Sequence, residues 1–340
     1  MAAVSRGIST RRARRRSTLR RCPNCRSSLP RCSGITSSND RGKMARVQTN
    51  GVAIEYEISG PADGPVLLMI HGVGAQLIRW PPALIERFEQ AGFCTLRFDN
   101  RDIGLSSHMD HLGLPDIAAA VAARQAGEEP VLPYTLSDMA ADTIGLLDAL
   151  GIAEAHVLGV SLGGMVAQVL AIEYAARVRS LALFMTQSGN IDLPPSQPEA
   201  LAILSQPAPD PAHDREAFLA HQVKLNRALG SPLYRAPEED LRRFAGLAAD
   251  RAYNPAGPAR QLAAARGAAD RRPALRTLSV PTLVVHGADD PLIRREAGHD
   301  LARSIPGAWL LEASGMGHDL PGELLDLFAA NVLANCARAA

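Results

Sequence analysis

The sequence predicts an α/β fold: a mostly parallel eight-stranded sheet flanked by helices, with an inserted helical cap. Three observations lead there. From Met44 onward short β-type runs alternate with longer helical patterns, as parallel strands joined by crossover helices do. The runs PVLLMIHG (65–72), AHVLGVS (155–161) and PTLVVHG (281–287) are almost wholly apolar, as strands covered on both faces are. Residues 190–280, by contrast, show helical patterning broken by prolines and no run that would continue the sheet.

Taken in order, VQTNGVAIEYEIS (47–59) reads as an opening hairpin turning at Asn50-Gly51, the strongest short hairpin signal. PVLLMIHG follows as a buried strand. WPPALIERFEQAG (80–92) has helical spacing that stops at Gly92, and FCTLRFDN (93–100) is the next strand. LSDMAADTIGLLDALG (136–151) is an amphipathic helix. AHVLGVS then runs straight into a helix over 163–178. RSLALFMT (179–186), PTLVVHG and AWLLEAS (308–314) supply the remaining strands, and a helix over roughly 322–335 closes the chain. No repeat of 20 to 50 residues is visible, which excludes a solenoid or propeller.

A chain of 340 residues with 46% apolar and 21% charged residues suits one soluble globular domain with insertions. No apolar run approaches the roughly 20 residues needed to span a bilayer. The net charge of +1 conceals an asymmetry, because residues 1–43 carry 11 Arg and 1 Lys against a single acid, Asp40. Residues 44–340 therefore hold 24 basic against 34 acidic groups, an acidic body for which neither nucleic acid nor membrane is the expected partner. The basic segment has almost no aliphatic content, so it is expected to be a disordered extension ahead of a domain over 44–340. It reads as a misassigned gene start before Met44 or as an Arg-rich, acid-poor leader. Cys22 and Cys25 form a C-x-x-C pair with Cys32 nearby, but a fourth ligand at zinc-site spacing is missing. The body holds only Cys94 and Cys336, so no disulfide framework is expected and a reducing, cytoplasmic setting fits.

The chemistry centres on Gly159-Val160-Ser161-Leu162-Gly163. A serine on a sharp strand-to-helix turn projects its hydroxyl above the sheet, and the turn demands small residues two positions either side. The turn also aims the first helix amides, that of Leu162 included, at the place where an oxyanion would form. Such a motif recurs by chance as a glycine-rich turn with a capping serine; here the VLGV strand before it and the amphipathic helix after it are the context the chemistry needs.

A serine hydroxyl needs a general base, and the base needs a carboxylate to hold its tautomer. On a nucleophile turn of this kind the chain order is Ser, acid, His. His299 and His318 are the two histidines that follow the acids. His299 sits in the helical pattern REAGHDLARSI and reads as a solvated surface residue, whereas His318 lies in the glycine-rich loop Gly315-Met316-Gly317-His318 after the last strand. Asp289 and Asp290 both lie just past TLVVHG, and spacing alone does not separate them; Pro291 fixes the turn after Asp290 and favours it. A second oxyanion donor is expected from His71-Gly72-Val73-Gly74, with the Val73 N–H the candidate. His71 precedes the nucleophile and reads as structural. FDNRDIGLSS (98–106) is dense in polar groups and is expected to be a strand-end turn satisfied by its own Asx and Arg contacts. His108, His111 and His213 have no metal-type spacing, and no phosphate-binding glycine loop occurs, so neither metal nor cofactor is expected.

With HGVG, FDNRDIGLSS, GVSLGG, HGADDP and GMGHDLP in order, the sequence resembles the α/β-hydrolase superfamily over essentially all of residues 46–335. GAQLIRWP, FDNRDIGLSS, DMAADTIGLLDALGI and IPGAWLLEASGMGHDLP are similar to the aclacinomycin methylesterase type of carboxylesterase. The resemblance implies Ser161 as nucleophile, His318 as base, Asp290 as acid, and the Val73 and Leu162 amides as oxyanion hole. It implies hydrolysis of a small-molecule ester through an acyl-enzyme, without a cofactor. Acyl transfer, amide or C–C hydrolysis with the same triad, and a ligand receptor on the same fold are the alternatives. The first oxyanion loop departs from that esterase type in carrying His71 and the bulkier Val73, which implies a different acyl side. A serine at the nucleophile position argues against haloalkane dehalogenases and epoxide hydrolases, and HGVG is not the HGGPG of proline iminopeptidases.

Overall fold

A computed structural model describes residues 44–339. The expectations for residues 1–43, the C-x-x-C pair among them, lie outside the described residues. The strands are β1 (Met44–Thr49), β2 (Val52–Ser59), β3 (Val66–Ile70), β4 (Cys94–Phe98), β5 (Ala155–Val160), β6 (Val178–Phe184), β7 (Thr282–Gly287) and β8 (Trp309–Ala313). The helices are α1 (Pro82–Gln90), α2 (Ile117–Gln125), α3 (Leu136–Ala149), α4 (Leu162–Glu173), α5 (Pro198–Leu204), α6 (Arg215–Leu229), α7 (Glu238–Arg251), α8 (Gly257–Gly267), α9 (Arg272–Leu275), α10 (Glu296–Ser304) and α11 (Leu325–Ala337).

The strands form one sheet in the order β1-β2-β4-β3-β5-β6-β7-β8. β1 and β2 are antiparallel, as are β2 and β4; all later pairings are parallel. The opening hairpin turns where expected, with Asn50 at φ 46° and Gly51 at φ 77°, the pair of positive φ values that a two-residue turn matching the strand twist requires.

The apolar strand runs are explained by the two faces of the sheet. In β3, Leu68 and Ile70 point to a core shared with Met139 and Leu146 of α3 and Val166 and Leu170 of α4. The alternate residues Leu67 and Met69 point to an opposite core with Leu84 and Phe88 of α1 and Phe328 and Val332 of α11. There Phe184 and Phe328 meet edge to face with ring centroids 5.4 Å apart. Burying both faces leaves the loops beyond the carboxyl ends of the parallel strands as the place where polar side chains can gather.

Between β6 and β7 the chain forms five helices, α5 to α9, and no strand. Two differences from the sequence reading are instructive. α4 stops at Glu173 and a 3-10 turn over Ala175–Arg177 carries the chain into β6, so the expected helix over 163–178 is one turn too long. α2 was not expected; its sequence IAAAVAARQ has almost no polar face to mark a period, and it starts because the Asp116 side chain accepts from Ala119 N–H at 2.9 Å.

The segment FDNRDIGLSS requires a correction. It is a turn after β4, but its acids and arginine are satisfied largely from elsewhere. Arg101 donates to Asp142 of α3 at 2.6 and 2.7 Å. Asp99 accepts from Arg251 of α7 at 2.7 Å, and Asp102 accepts from Arg260 of α8 at 2.6 and 2.9 Å. A turn of this polarity in a buried place must recruit partners from whatever packs on it, and those partners lie some 40 to 160 residues away in sequence.

Candidate active site

Ser161 joins β5 to α4 with φ 55° and ψ −118°, a left-handed conformation that a residue with a side chain adopts only when its surroundings impose it. They do so here: its N–H donates to Phe184 O at 2.9 Å, and its carbonyl accepts from Thr186 Oγ1 at 2.7 Å and from Gly164 N at 3.0 Å. The flanking glycines are sterically required. A Cβ at 159 would lie 2.4 Å from Gly163 O, and one at 163 only 2.0 Å from Ile70 O. A Cβ at Gly72 would lie 3.0 Å from Ser161 Cβ and 3.5 Å from its Oγ, so the loop after β3 runs directly against the serine. As the first residue of α4, Leu162 presents an N–H with no acceptor inside the helix. Among the described residues no acceptor takes the Val73 N–H either.

His318 lies in the loop after β8, its side chain 10% exposed. Its Nδ1 is 2.7 Å from Asp290 Oδ2. The other oxygen, Asp290 Oδ1, accepts the Leu292 and Ile293 N–H groups, each at 2.9 Å. Asp290 is thus fixed by its own turn and presents one oxygen to the imidazole. Asp289 turns away and accepts Gly315 N–H at 2.8 Å. Of the two neighbouring acids, the structure brings Asp290 to His318. His299 is on α10, exposed and 2.5 Å from Glu312 Oε2, apart from this pair.

The electrostatics of the two imidazoles diverge. Burial, and then the positive charges of Arg79 and His318, push His71 down to about 3, so it is neutral near pH 7. For His318, burial alone would favour the neutral ring, but the adjacent Asp290 carboxylate, its hydrogen bond and the charge of Asp319 outweigh it and raise the basicity above the ordinary histidine range. His71 also packs edge to face on Trp80, with centroids 4.8 Å apart.

Four participants in this neighbourhood are not evident from the sequence. Asp319 is held by Ser231, whose N–H donates at 3.1 Å and whose hydroxyl donates to the other carboxylate oxygen. The Ser231 hydroxyl also accepts Gly317 N–H at 3.0 Å, so the loop after α6 clasps the His318 loop. Arg79 donates to Asn226 of α6 at 2.8 Å and lies over the Phe244 ring of α7. His286 is fully buried, donates from Nε2 to Ile293 O at 2.7 Å and lies 3.7 Å from Asp290 Oδ2, behind the turn that fixes that acid. His286, Asp319 and Arg79 lie within the HGADDP, GMGHDLP and GAQLIRWP stretches, but the contacts of Asp319 with Ser231 and of Arg79 with Asn226 depend on folding the inserted helices back over the carboxyl ends of the strands. Among the described residues no group of three His, Cys, Asp or Glu is arranged to hold a metal ion.

A sheet of this order, with a strained serine after β5, an acid after β7 and a histidine after β8, is the α/β hydrolase arrangement. The chain belongs to that family: the family model for the alpha/beta hydrolase fold matches residues 65–323. Two rhodomycin D methylesterases, from Streptomyces sp. (strain C5) and Streptomyces peucetius, are each 28% identical over 294 residues, 82% of this chain and 92% of theirs. Among solved structures, a hydrolase from Pseudomonas aeruginosa PA01 is 28% identical with a TM-score of 0.63, covering 86% of this chain and 98% of its own. A thermophilic esterase from Thermogutta terrifontis shares the fold at 22% identity, with a TM-score of 0.64 over 87% of this chain and 99% of its own.

Proposed function

We propose that this protein is a serine hydrolase that cleaves a carboxylic ester through an acyl-enzyme. The observation that carries the reading is the 2.7 Å bond from His318 Nδ1 to Asp290 Oδ2, beyond the carboxyl ends of the same parallel strands as the strained Ser161. Ser161 Oγ attacks the ester carbonyl while His318 Nε2 takes its proton; Asp290 holds the Nδ1–H tautomer and stabilises the imidazolium. The Val73 and Leu162 amides receive the oxyanion. His318 returns the proton to the leaving alcohol, and water, activated by the same imidazole, releases the acid.

The names of the relatives, two methylesterases and an esterase, support a small-molecule ester as substrate, and the departure at Val73 leaves the acyl side to be set by this chain's own pocket. Residues 190–280 act as the cap that shapes the pocket, a reading supported by the contacts of Ser231 with Asp319 and of Arg79 with Asn226. No helix among the described residues is long and apolar enough to cross a membrane; a cytoplasmic setting is supported by the scarcity of cysteine in the body, Cys94 and Cys336 alone. The test is turnover of p-nitrophenyl acetate and butyrate with a pre-steady-state burst, followed by a panel of methyl and larger alkyl esters. Ser161→Ala is expected to abolish both burst and turnover; unchanged activity in that variant would overturn the mechanism.

A further inference from the structure

The oxyanion loop is the least supported part of the proposed machinery when viewed from the sheet. Gly74 has φ 71°, and the loop leaves β3 without pairing to any strand. Its amides need a fixed direction, since an oxyanion donor acts through preorganisation and loses its advantage when it must reorient during the reaction. The turn after β4 holds its two ends, Asn100 donating to His71 O at 3.2 Å and Asp99 accepting Leu77 N–H at 2.6 Å; between them, Gly74 is held from the inserted helices. Gln261 of α8 is fully buried. Its Oε1 accepts Gly74 N–H at 2.9 Å, and its Nε2 donates to Arg101 O at 2.9 Å. Each end of the amide is used, so the side chain is a strut of defined orientation between the oxyanion loop and the turn after β4.

The strut is itself anchored. Arg260, next to it on α8, is fully buried and holds Asp102 through two bonds, and Asn254 donates to Asp102 O at 2.9 Å. Arg101, whose carbonyl receives Gln261, is tied to Asp142. Two residues further along the loop, Gln76 donates to Ala248 O at 2.8 Å and Ala252 O at 2.9 Å and accepts from Arg251 at 2.8 Å. A buried polar network of this density stabilises little by comparison with apolar packing; with Gln76, Gln261, Arg260 and Asp102 all paired, it favours one geometry. That geometry ends on the amide one residue from Val73.

We propose that Gln261 is a positioning residue for the oxyanion loop, holding the Gly72–Gly74 backbone so that the Val73 N–H faces the reacting carbonyl. This rests on the serine-hydrolase reading and adds to it that the inserted helices are part of the catalytic frame. Gln261→Met keeps the length and removes both hydrogen bonds; Gln261→Glu keeps an acceptor for Gly74 N–H.

The experiment measures kcat and KM per active site, counted by titration with a fluorophosphonate, together with inhibition by a trifluoromethyl ketone and by a non-reactive amide analogue of the same ester. The ketone forms a hemiketal oxyanion on Ser161; the amide samples ground-state binding. Gln261→Met is expected to lower kcat about 10- to 100-fold with KM nearly unchanged, as loss of part of an oxyanion hole does. Ketone affinity should weaken in parallel and amide affinity should hold, with Gln261→Glu lying nearer the parent enzyme in both. Parent-like kcat in Gln261→Met, or equal weakening of ketone and amide, overturns the proposal. Should Gln261→Met fail to fold, Gln261→Asn, whose side chain is one methylene too short to reach both Gly74 N–H and Arg101 O, takes its place: parent-like ketone affinity, or equal weakening of ketone and amide, overturns the proposal. Turnover persisting in Ser161→Ala would instead sink the hydrolase reading, a result that Gln261 variants do not mimic.

Discussion

Asp290 and His318 meet at 2.7 Å although the two residues stand on different loops, while Asp289, one residue from Asp290, spends its carboxylate on the Gly315 amide 2.8 Å away. Adjacent acids therefore have separate tasks, and substitution should separate them. Asp290→Asn is expected to lower kcat by about 10⁴, because an amide in place of the carboxylate favours the wrong imidazole tautomer. Asp289→Asn retains an oxygen for the Gly315 N–H and should cost less than about 10-fold, the scale of a local adjustment rather than of a lost reacting group. Steady-state kinetics on both variants with one p-nitrophenyl ester decides it; similar losses in the two would mean that the assignment of the acid is wrong.

The pH dependence follows from the His318 surroundings. Burial opposes its protonation, yet the Asp290 and Asp319 carboxylates prevail and raise its pKa. A general base works only when neutral, so kcat/KM should fall on the acid side, with a midpoint above the ordinary imidazole value of about 6.5. Asp319→Asn removes one of the two negative charges while leaving an oxygen to accept from Ser231. His318 is then easier to deprotonate, and the acid limb should move to lower pH. A limb that stays in place or moves upward after Asp319→Asn would show that Asp319 does not act on His318.

How much of this could be read in the sequence depends on how local the signal is. The eight strands, the Asn50-Gly51 turn and the Ser161 junction are written in residues a few positions apart, where burial on both sheet faces or a required positive φ restricts the choice directly. The choice of Asp290 over Asp289 was already favoured by Pro291, because the turn that follows uses Asp290 Oδ1 to cap Leu292 and Ile293. The partners of the FDNRD turn were not legible. Arg251 and Arg260 sit in Ala- and Arg-rich helices whose sequence looks like exposed surface, and their charges point inward only because the turn after β4 supplies Asp99 and Asp102. Gln261 and Ser231 were hidden for the same reason, since an uncharged polar residue on a helix or loop carries no mark of the backbone group it will meet.

The nucleophile turn makes a steric prediction independent of chemistry. A methyl group at 163 would fall 2.0 Å from Ile70 O and 2.8 Å from His71 O, both backbone atoms that cannot swing aside. Gly163→Ala is therefore expected to destabilise by about 1–3 kcal/mol or more, as overpacking of a close-packed site does, and to displace the loop beside Ser161. At Gly72 a methyl group would meet Ser161 Cβ at 3.0 Å, a milder contact that should reduce fluorophosphonate labelling more than it lowers the thermal midpoint. Thermal unfolding and labelling rates measured on both variants test the pair, and a Gly163→Ala protein as stable and as reactive as the parent would contradict the packing described.

Asp102 and Arg260 offer the sharpest stability test, because both side chains are fully buried and bonded at 2.6 and 2.9 Å. Arg260→Met strands a carboxylate inside the protein and should lower the unfolding free energy by about 3–5 kcal/mol. The double variant Asp102→Asn/Arg260→Met should recover much of that loss: asparagine tolerates the φ of 73° at position 102 and still accepts the Met109 N–H now bonded at 2.7 Å. The sign of the pH effect is fixed as well. Burial would raise the Asp102 carboxyl, but the bonds from Arg260 and Met109 hold it below its ordinary value. In the parent, the stability it contributes is present above the unfolded value of about 3.9 and is lost as pH falls through its lower folded value. Without Arg260 the burial effect prevails and the folded value rises, so the single variant gains stability relative to the parent as pH falls and Asp102 takes up a proton. Urea unfolding at pH 7 and at pH 5 measures both effects. A single variant no less stable than the double, or a gap from the parent that widens toward acid, would show that Asp102 does not depend on Arg260.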